Sequence, residues 1–291
     1  MPPSALVLTG VVSVQVGAGV AARLFALIPP AAVTGLRLWT AAAVMAVAGA
    51  RPLRDNLAGL ARRRAWRDAA VVAGFGLTLA VMNYSIYQAF ARIPLGIAVT
   101  IEFLGPLAVA VASSRRVIDL LWVGLAGAGV ALLTRAGDPA GDHRVGLVGL
   151  GFALLAAAAW AAYIILSRAT GRRFPGTSGL TIAMLVAAII MIPAGVAAGG
   201  TALLRPAILA AGLGIGLLSS IIPYSLEMEA LRRVPARVFG IWMSLEPAVA
   251  ALVGLVMLGE KLAVSEWAAI VCVMIACAGA ARGGGTQSAQ A

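Results

Sequence analysis

Pro94-Leu-Gly-Ile-Ala-Val-Thr-Ile-Glu-Phe-Leu-Gly-Pro106 sets one acid, Glu102, in an otherwise apolar run. Gly240-Ile-Trp-Met-Ser-Leu-Glu-Pro247 does the same for Glu246. In each, a Gly stands six residues before the Glu. A Pro follows, Pro106 at +4 in the first and Pro247 at +1 in the second. An ionised acid at mid-membrane costs roughly 2.5–3.5 kcal/mol on insertion scales, so a pair of them persists only for a reason. Two reasons are open. Each Glu can face a water-filled cavity and bind a cation, proton or ammonium, or each can be protonated and hydrogen-bond between helices.

The surroundings fix the fold class. The chain is 62% hydrophobic and 11% charged, against about a quarter charged in a soluble domain. Many stretches exceed 18 residues with few or no charges, as transmembrane helices require. The runs are continuously apolar rather than alternating, which argues against a barrel. Ten spans are expected, near 4–22, 31–50, 69–91, 94–114, 118–134, 145–167, 178–198, 207–229, 236–258 and 265–281. Glu102 is ninth in its 21-residue span and Glu246 eleventh in its 23-residue span, so both sit near the midplane. The first span is expected to be retained, since no Lys or Arg precedes it and Arg23 follows. The tail 283–291 is small and polar and expected to be disordered.

The net charge of +11 is carried by Arg, with Lys261 the one lysine. These residues lie in short loops, which reads as positive-inside bias rather than as a nucleic-acid surface. With the N-terminus cytoplasmic, 15 Lys and Arg fall inside and 6 outside, so both termini are expected in the cytoplasm.

The two acid segments are related by an offset of 144 residues. Thr34-Gly-Leu-Arg and Ser178-Gly-Leu-Thr share that offset, and Arg23 and Arg168 are 145 apart. The chain therefore reads as two five-helix units, 4–134 and 145–281. Five is odd, so the second unit enters the membrane the other way round. Such inverted repeats are characteristic of secondary transporters, with the site near the midplane between the halves. The fold expected is an all-α polytopic membrane protein of ten helices in two inverted repeats.

Other polar groups in the spans are candidates for lining that site. Pro106 and Pro247 cannot donate to the carbonyls of Glu102 and Met243, which breaks each helix beside its acid. Arg37, in the second span, can snorkel outward, pair with Glu102, or bind a substrate carboxylate. Asn83 and Tyr87 share one helix face and Tyr84 and Gln88 another. Tyr224 and Glu227 share a face of the eighth span, which also carries Ser219 and Ser220. Trp160 and Tyr163 can supply an aromatic wall. Each of these is also compatible with interhelical hydrogen bonding or plain packing. The glycines of Gly124–Gly129, Gly146–Gly151 and Gly212–Gly216 read as close-packing devices.

Several functions are argued against. No Gly-x-x-x-x-Gly-Lys loop exists, which excludes a phosphate-loop ATPase. The lone His143 sits in a polar loop, and Cys272 and Cys277 point to different faces of the last span. No metal site, cofactor or enzymatic activity is expected.

The chain resembles the ten-span, EamA-type drug/metabolite transporters, and more narrowly the bacterial threonine/homoserine exporter family. The resemblance runs from about residue 5 to 281 and rests on Met82-Asn-Tyr84, Pro94–Val109, Ser113-Ser-Arg-Arg116, Pro223-Tyr-Ser-Leu-Glu-Met228, Met243-Ser-Leu-Glu-Pro-Ala248 and Leu258-Gly-Glu260. It implies a proton-coupled exporter of small neutral amino acids in the bacterial inner membrane. On that reading Glu102 and Glu246 serve the ammonium or the coupling proton. Asn83, Tyr84, Tyr224 and Arg37 serve the carboxylate and hydroxyl, and of the two acids Glu102 is the one favoured as working. A multidrug or other metabolite carrier of the same superfamily is the alternative, and a non-transporting scaffold a distant one.

Overall fold

The structure, a computed structural model, describes residues 1–50, 53–54, 56, 58, 65–114, 117–135, 146–174 and 176–283. Arg51, Arg62–Arg64, Arg115, Arg116, His143, Arg144 and the tail from 284 lie outside the described residues. Among the described residues, nine helices are long and apolar enough to cross a membrane, and a tenth is shorter. They are α1 (Pro3–Leu24), α2 (Pro30–Ala48), α3 (Trp66–Phe90), α4 (Leu95–Ala112), α5 (Asp119–Arg135), α6 (Leu147–Gly171), α7 (Ser178–Gly199), α8 (Pro206–Leu231), α9 (Ala236–Leu258) and α10 (Val264–Gly283). Each matches an expected span.

Proline sets several of their boundaries. Pro3, Pro30 and Pro206 stand in the first turns of α1, α2 and α8, where a missing N–H costs nothing. Inside the spans, Pro106, Pro223 and Pro247 accompany breaks in the helix, whereas Pro193 lies within α7 without breaking it. In α4 the break is at Phe103, between Leu95–Glu102 and Leu104–Ala112, three residues before Pro106. In α9 it is at Ser244-Leu245, between Ala236–Met243 and Glu246–Val253, just before Pro247. Both expected breaks therefore fall beside the two acids. A third lies in α8, where a π-helical turn at Leu217–Ile221 precedes Pro223. Such turns concentrate at functional sites.

The packing has a simple pattern. α2 lies on α7, α4 on α9 and α5 on α10. α3 lies on α6 as α8 lies on α1, and α3 on α7 as α8 lies on α2. Exchanging each helix with the one five places later leaves these pairs unchanged.

Small residues allow the closest crossings. Gly96 of α4 meets α9, where an added Cβ would be 2.7 Å from the Cα of Ala251. Gly105 of α4 lies so close to α6 that a Cβ would collide with the Ala157 carbonyl oxygen. The glycine runs seen in the sequence divide. Gly129, Gly212 and Gly216 abut other helices and Gly149 abuts the Arg92–Ile93 turn between α3 and α4, whereas Gly124, Gly127, Gly146, Gly151 and Gly214 face open space. A run of glycines marks a helix as packable without saying which of its faces is used.

One end of the bundle is tied by polar bonds between distant segments. Arg23, at the end of α1, donates from Nε to the Met257 carbonyl at 2.9 Å. The Leu95 N–H, at the start of α4, donates to Glu260 Oε2 at 2.9 Å. A carboxylate there satisfies an N-terminal helix donor and complements the helix dipole. Burial pushes the Glu260 carboxyl above its ordinary range, and the Leu95 bond opposes that shift.

Two substitutions in α4 and α5 test this packing. Gly105→Ala should lower thermal stability in detergent by about 1–3 kcal/mol, the usual cost of overpacking. Gly124→Ala, on an open face, should leave it unchanged; equal effects would contradict the helix orientations. Glu260→Ala should cost about 1 kcal/mol through loss of the cap, with Glu260→Gln intermediate in the same melting experiment.

Candidate functional site

The breaks in α4, α8 and α9 surround a cavity of about 180 Å³. Seven helices line it: α1 to α4, α6, α8 and α9. Glu102 and Glu246 both face it, as does Glu227, so three carboxyl groups from three helices share one space. The two acids, 144 residues apart in sequence, thus line the same cavity. Arg37, Asn83, Tyr224, Trp160 and Tyr163 also line the cavity.

The cavity depends on how Arg37 is held. Pro223 has no N–H for the Ser219 carbonyl four residues back, nor for the Leu218 carbonyl through the π-turn spacing. Such carbonyls need other partners at membrane depth. Arg37 Nη2 donates to the Ser219 carbonyl at 2.9 Å, and Ser13 Oγ to that of Leu218 at 2.8 Å. Arg37 Nε also reaches Ser220 Oγ, and Nη1 the Tyr87 hydroxyl, each at 3.4 Å. The guanidinium carbon stands 5.5 Å from the Tyr87 ring centroid, which adds a cation–π contact. Arg37 therefore does not snorkel; it crosses from α2 to α8 and presents its charge to the cavity.

The acids are held differently. Gln15 Nε2 donates to Glu246 Oε1 at 2.8 Å, from α1 to α9, and both residues are buried. Glu246 Oε2 has no partner. No described ion pair joins Arg37 to any of the three acids. The cavity is thus bipolar, with carboxyl groups and a guanidinium in one volume.

Two residues expected at the site are elsewhere. Tyr84 does not line the cavity; its ring packs edge-on to Phe152, 6.3 Å between centroids. Tyr87 is fully buried behind it and acts through its hydroxyl on Arg37. Asn83 does line it, though its amide donates back to the Leu79 carbonyl at 2.8 Å. Trp160 stands perpendicular to Phe103 at 4.9 Å and Tyr163 beside Phe75 at 5.2 Å, so the aromatic wall is fixed from behind.

Among the polar residues of the lining, Gln15 is the one that carries no expectation from sequence. A signal for it was available. The offset of 145 residues that relates Arg23 to Arg168 carries Gln15 onto Trp160. Ser219 was noted as polar, but its importance depends on Pro223 four residues later.

Comparison with known proteins gives a consistent picture. Residues 147–282 match the EamA-like transporter family. The chain is 40% identical over 277 residues to the threonine/homoserine exporter RhtA of Salmonella typhimurium, covering 95% of this chain and 90% of that protein. It is 39% identical over the same length to RhtA of Escherichia coli K12, and 30% identical over 132 residues to the uncharacterized transporter YwfM of Bacillus subtilis. A crystal structure at 19% identity aligns with a TM-score of 0.58 over 94% of this chain and 96% of its own, a likeness of fold alone. The chain belongs to the EamA-like transporters, in the family of the threonine/homoserine exporter RhtA.

Proposed function

We propose that this protein is a secondary exporter of small neutral amino acids of the threonine and homoserine type. The observation that carries the reading is the bipolar cavity. A zwitterion needs an acceptor for its ammonium and a donor for its carboxylate. Glu102, Glu227 and Glu246 offer the first, and Arg37 with the Tyr224 hydroxyl the second. A polar cargo side chain has Asn83 within the same cavity. Tyr84, packed on Phe152 and absent from the cavity lining, has no part in the reading.

Size favours this cargo over drug-like ones. A cavity of about 180 Å³ is below the ~300–1,000 Å³ of pockets that hold drug-sized ligands. The multidrug alternative keeps one argument, the Trp160 and Tyr163 wall beside unpaired acids, which suits organic cations.

Transport would proceed by alternating access of two inverted five-helix repeats about this cavity. The helix pairs that survive exchange of the halves support such a repeat. Glu102 and Glu227 have no described hydrogen bond and so are the acids free to carry a coupling proton, with Glu102, beside the break in α4, the one favoured. The protein would lie in the bacterial inner membrane with both termini cytoplasmic, as the Arg distribution suggests. The bilayer is its one expected macroscopic partner, with a small amino acid as cargo.

Growth of an exporter-deficient strain on toxic homoserine or threonine tests the role of the acids. The parent protein should protect. Glu102→Gln and Glu246→Gln, at equal expression, should each lose most protection, with efflux down roughly tenfold or more, about 1.4 kcal/mol per decade. Full protection by both would contradict it. Orientation has a separate test: a C-terminal fluorescent-protein fusion should fluoresce and a C-terminal alkaline phosphatase fusion should be inactive.

A further inference from the structure

The second piece of α9, Glu246–Val253, packs on the first piece of α4, Leu95–Glu102. Exchange of the halves would also set the first piece of α9, Ala236–Met243, on the second piece of α4, Leu104–Ala112. No such packing is found among the described residues. The glycines show the same asymmetry. Gly96 and Gly240 each stand six residues before their acid. A Cβ on Gly96 would meet Ala251 of α9, whereas one on Gly240 would meet Ala281 of α10 and no described atom of α4. Two broken helices that are equivalent in sequence therefore cross at one end of the bundle and stand apart at the other.

The crossing lies at the end where α1 finishes and α4 begins; the other end holds both termini. The cavity follows this arrangement. Toward the crossing its lining includes Ala18, Ile86 and Val99, which are 6%, 5% and 2% exposed. Toward the termini, Tyr163, Glu227 and Met243 are each half-buried.

The crossing also carries a fastening. Gly259, at φ +72°, turns the chain back after the π-helical end of α9, Gly254–Leu258. The Glu260 carboxylate then lies over Gly254, where a Cβ would collide with Oε2, and accepts from the Leu95 N–H at 2.9 Å. Arg23, at the end of α1, donates to the Met257 carbonyl of the same π-helical segment through Nε at 2.9 Å and through Nη2. Both contacts join α1 or α4 of the first half to segment 254–260 of the second. Arg23 is exposed and Glu260 half-buried, so each can exchange its partner for water at modest cost.

We propose that Glu260 and Arg23 form a latch that holds the α4–α9 crossing shut, and that its release lets these helices part there and meet at the end that holds the termini. The released state is the one that exchange of the halves generates, with Gly240 making the close contact with α4 that Gly96 makes with α9 here. Packed interfaces switch between such discrete arrangements rather than deform continuously. The proposal rests on the exporter reading only for what is carried. With both termini cytoplasmic, as proposed above, the open end faces the cytoplasm, where an exporter loads its cargo, and the latch governs release on the other side.

Thiol labelling reads which end is open. In a full-length chain with Cys272 and Cys277 replaced by Ala, Met82→Cys places one thiol on the cavity lining. A membrane-impermeant maleimide is applied to membrane vesicles from each face in turn. With the latch intact, the thiol should react from the face that carries the termini and be protected from the other. Glu260→Ala and Arg23→Ala should each raise the rate from the protected face by about fivefold, as expected for loss of one typical hydrogen bond, without raising it from the open face. Gly254→Ala should act like Glu260→Ala, because the added Cβ displaces the carboxylate while leaving its charge in place. Glu260→Gln, the mildest change, should fall between, and it keeps the test open if Gly254→Ala does not fold. Equal rises from both faces would mean general loosening and would overturn the proposal. So would a parent thiol equally reactive from both faces, or unchanged rates in all the variants. If labelling behaves as expected while proteoliposomes show no counterflow of threonine or homoserine, the cargo assignment is wrong and the latch stands.

Discussion

The bond from Arg37 to the Ser219 carbonyl is the contact on which the site depends. It answers a constraint that water-soluble proteins meet more easily. Within hydrocarbon every backbone carbonyl needs a partner inside the protein, and a proline removes one. Pro223 removes it in α8, beside a π-turn that already misaligns the ladder. Arg37 from α2 and Ser13 from α1 supply the missing donors. The repair has a consequence. It holds a cation at membrane depth, facing a cavity with three carboxyl groups, without closing an ion pair to any of them.

The same device recurs with less repair in α4 and α9. Pro106 and Pro247 interrupt those helices next to Glu102 and Glu246, and the interruptions open the space the acids face. Gly96 lets the two broken helices cross closely, against Ala251. The cavity is therefore bounded by three helix breaks, with the half-buried Arg37 tying α2 to α8 beside it and small-residue contacts closing the helix crossings.

Much of this was legible in the sequence. Hydropathy located all ten helices, because span length follows from bilayer thickness and is indifferent to neighbours. The helix breaks were legible because proline acts locally. The pairing of Glu102 with Glu246 came from the repeat offset. What escaped was rotation of each helix about its axis, which packing against other helices decides. Tyr84 and Asn83 are adjacent in sequence, yet Asn83 faces the cavity and Tyr84 faces Phe152. Gly124 and Gly129 belong to one run, yet only Gly129 abuts another helix. Arg37 had three readings in the sequence, and its choice was fixed by a carbonyl that Pro223 exposes in another helix. Gln15 shares its apolar span with Ser4, Thr9 and Ser13, and nothing local distinguishes it from them; its partner, Glu246, lies in another helix.

The central claim is that one cavity moves a zwitterionic amino acid in exchange with protons. Counterflow in proteoliposomes loaded with unlabelled threonine, measured with labelled threonine outside, tests it most directly. The account predicts rapid uptake of label, and a pH gradient that drives accumulation in liposomes without internal threonine. Tight liposomes that contain well-folded protein, yet show neither counterflow nor pH-driven uptake of threonine or homoserine, would contradict it.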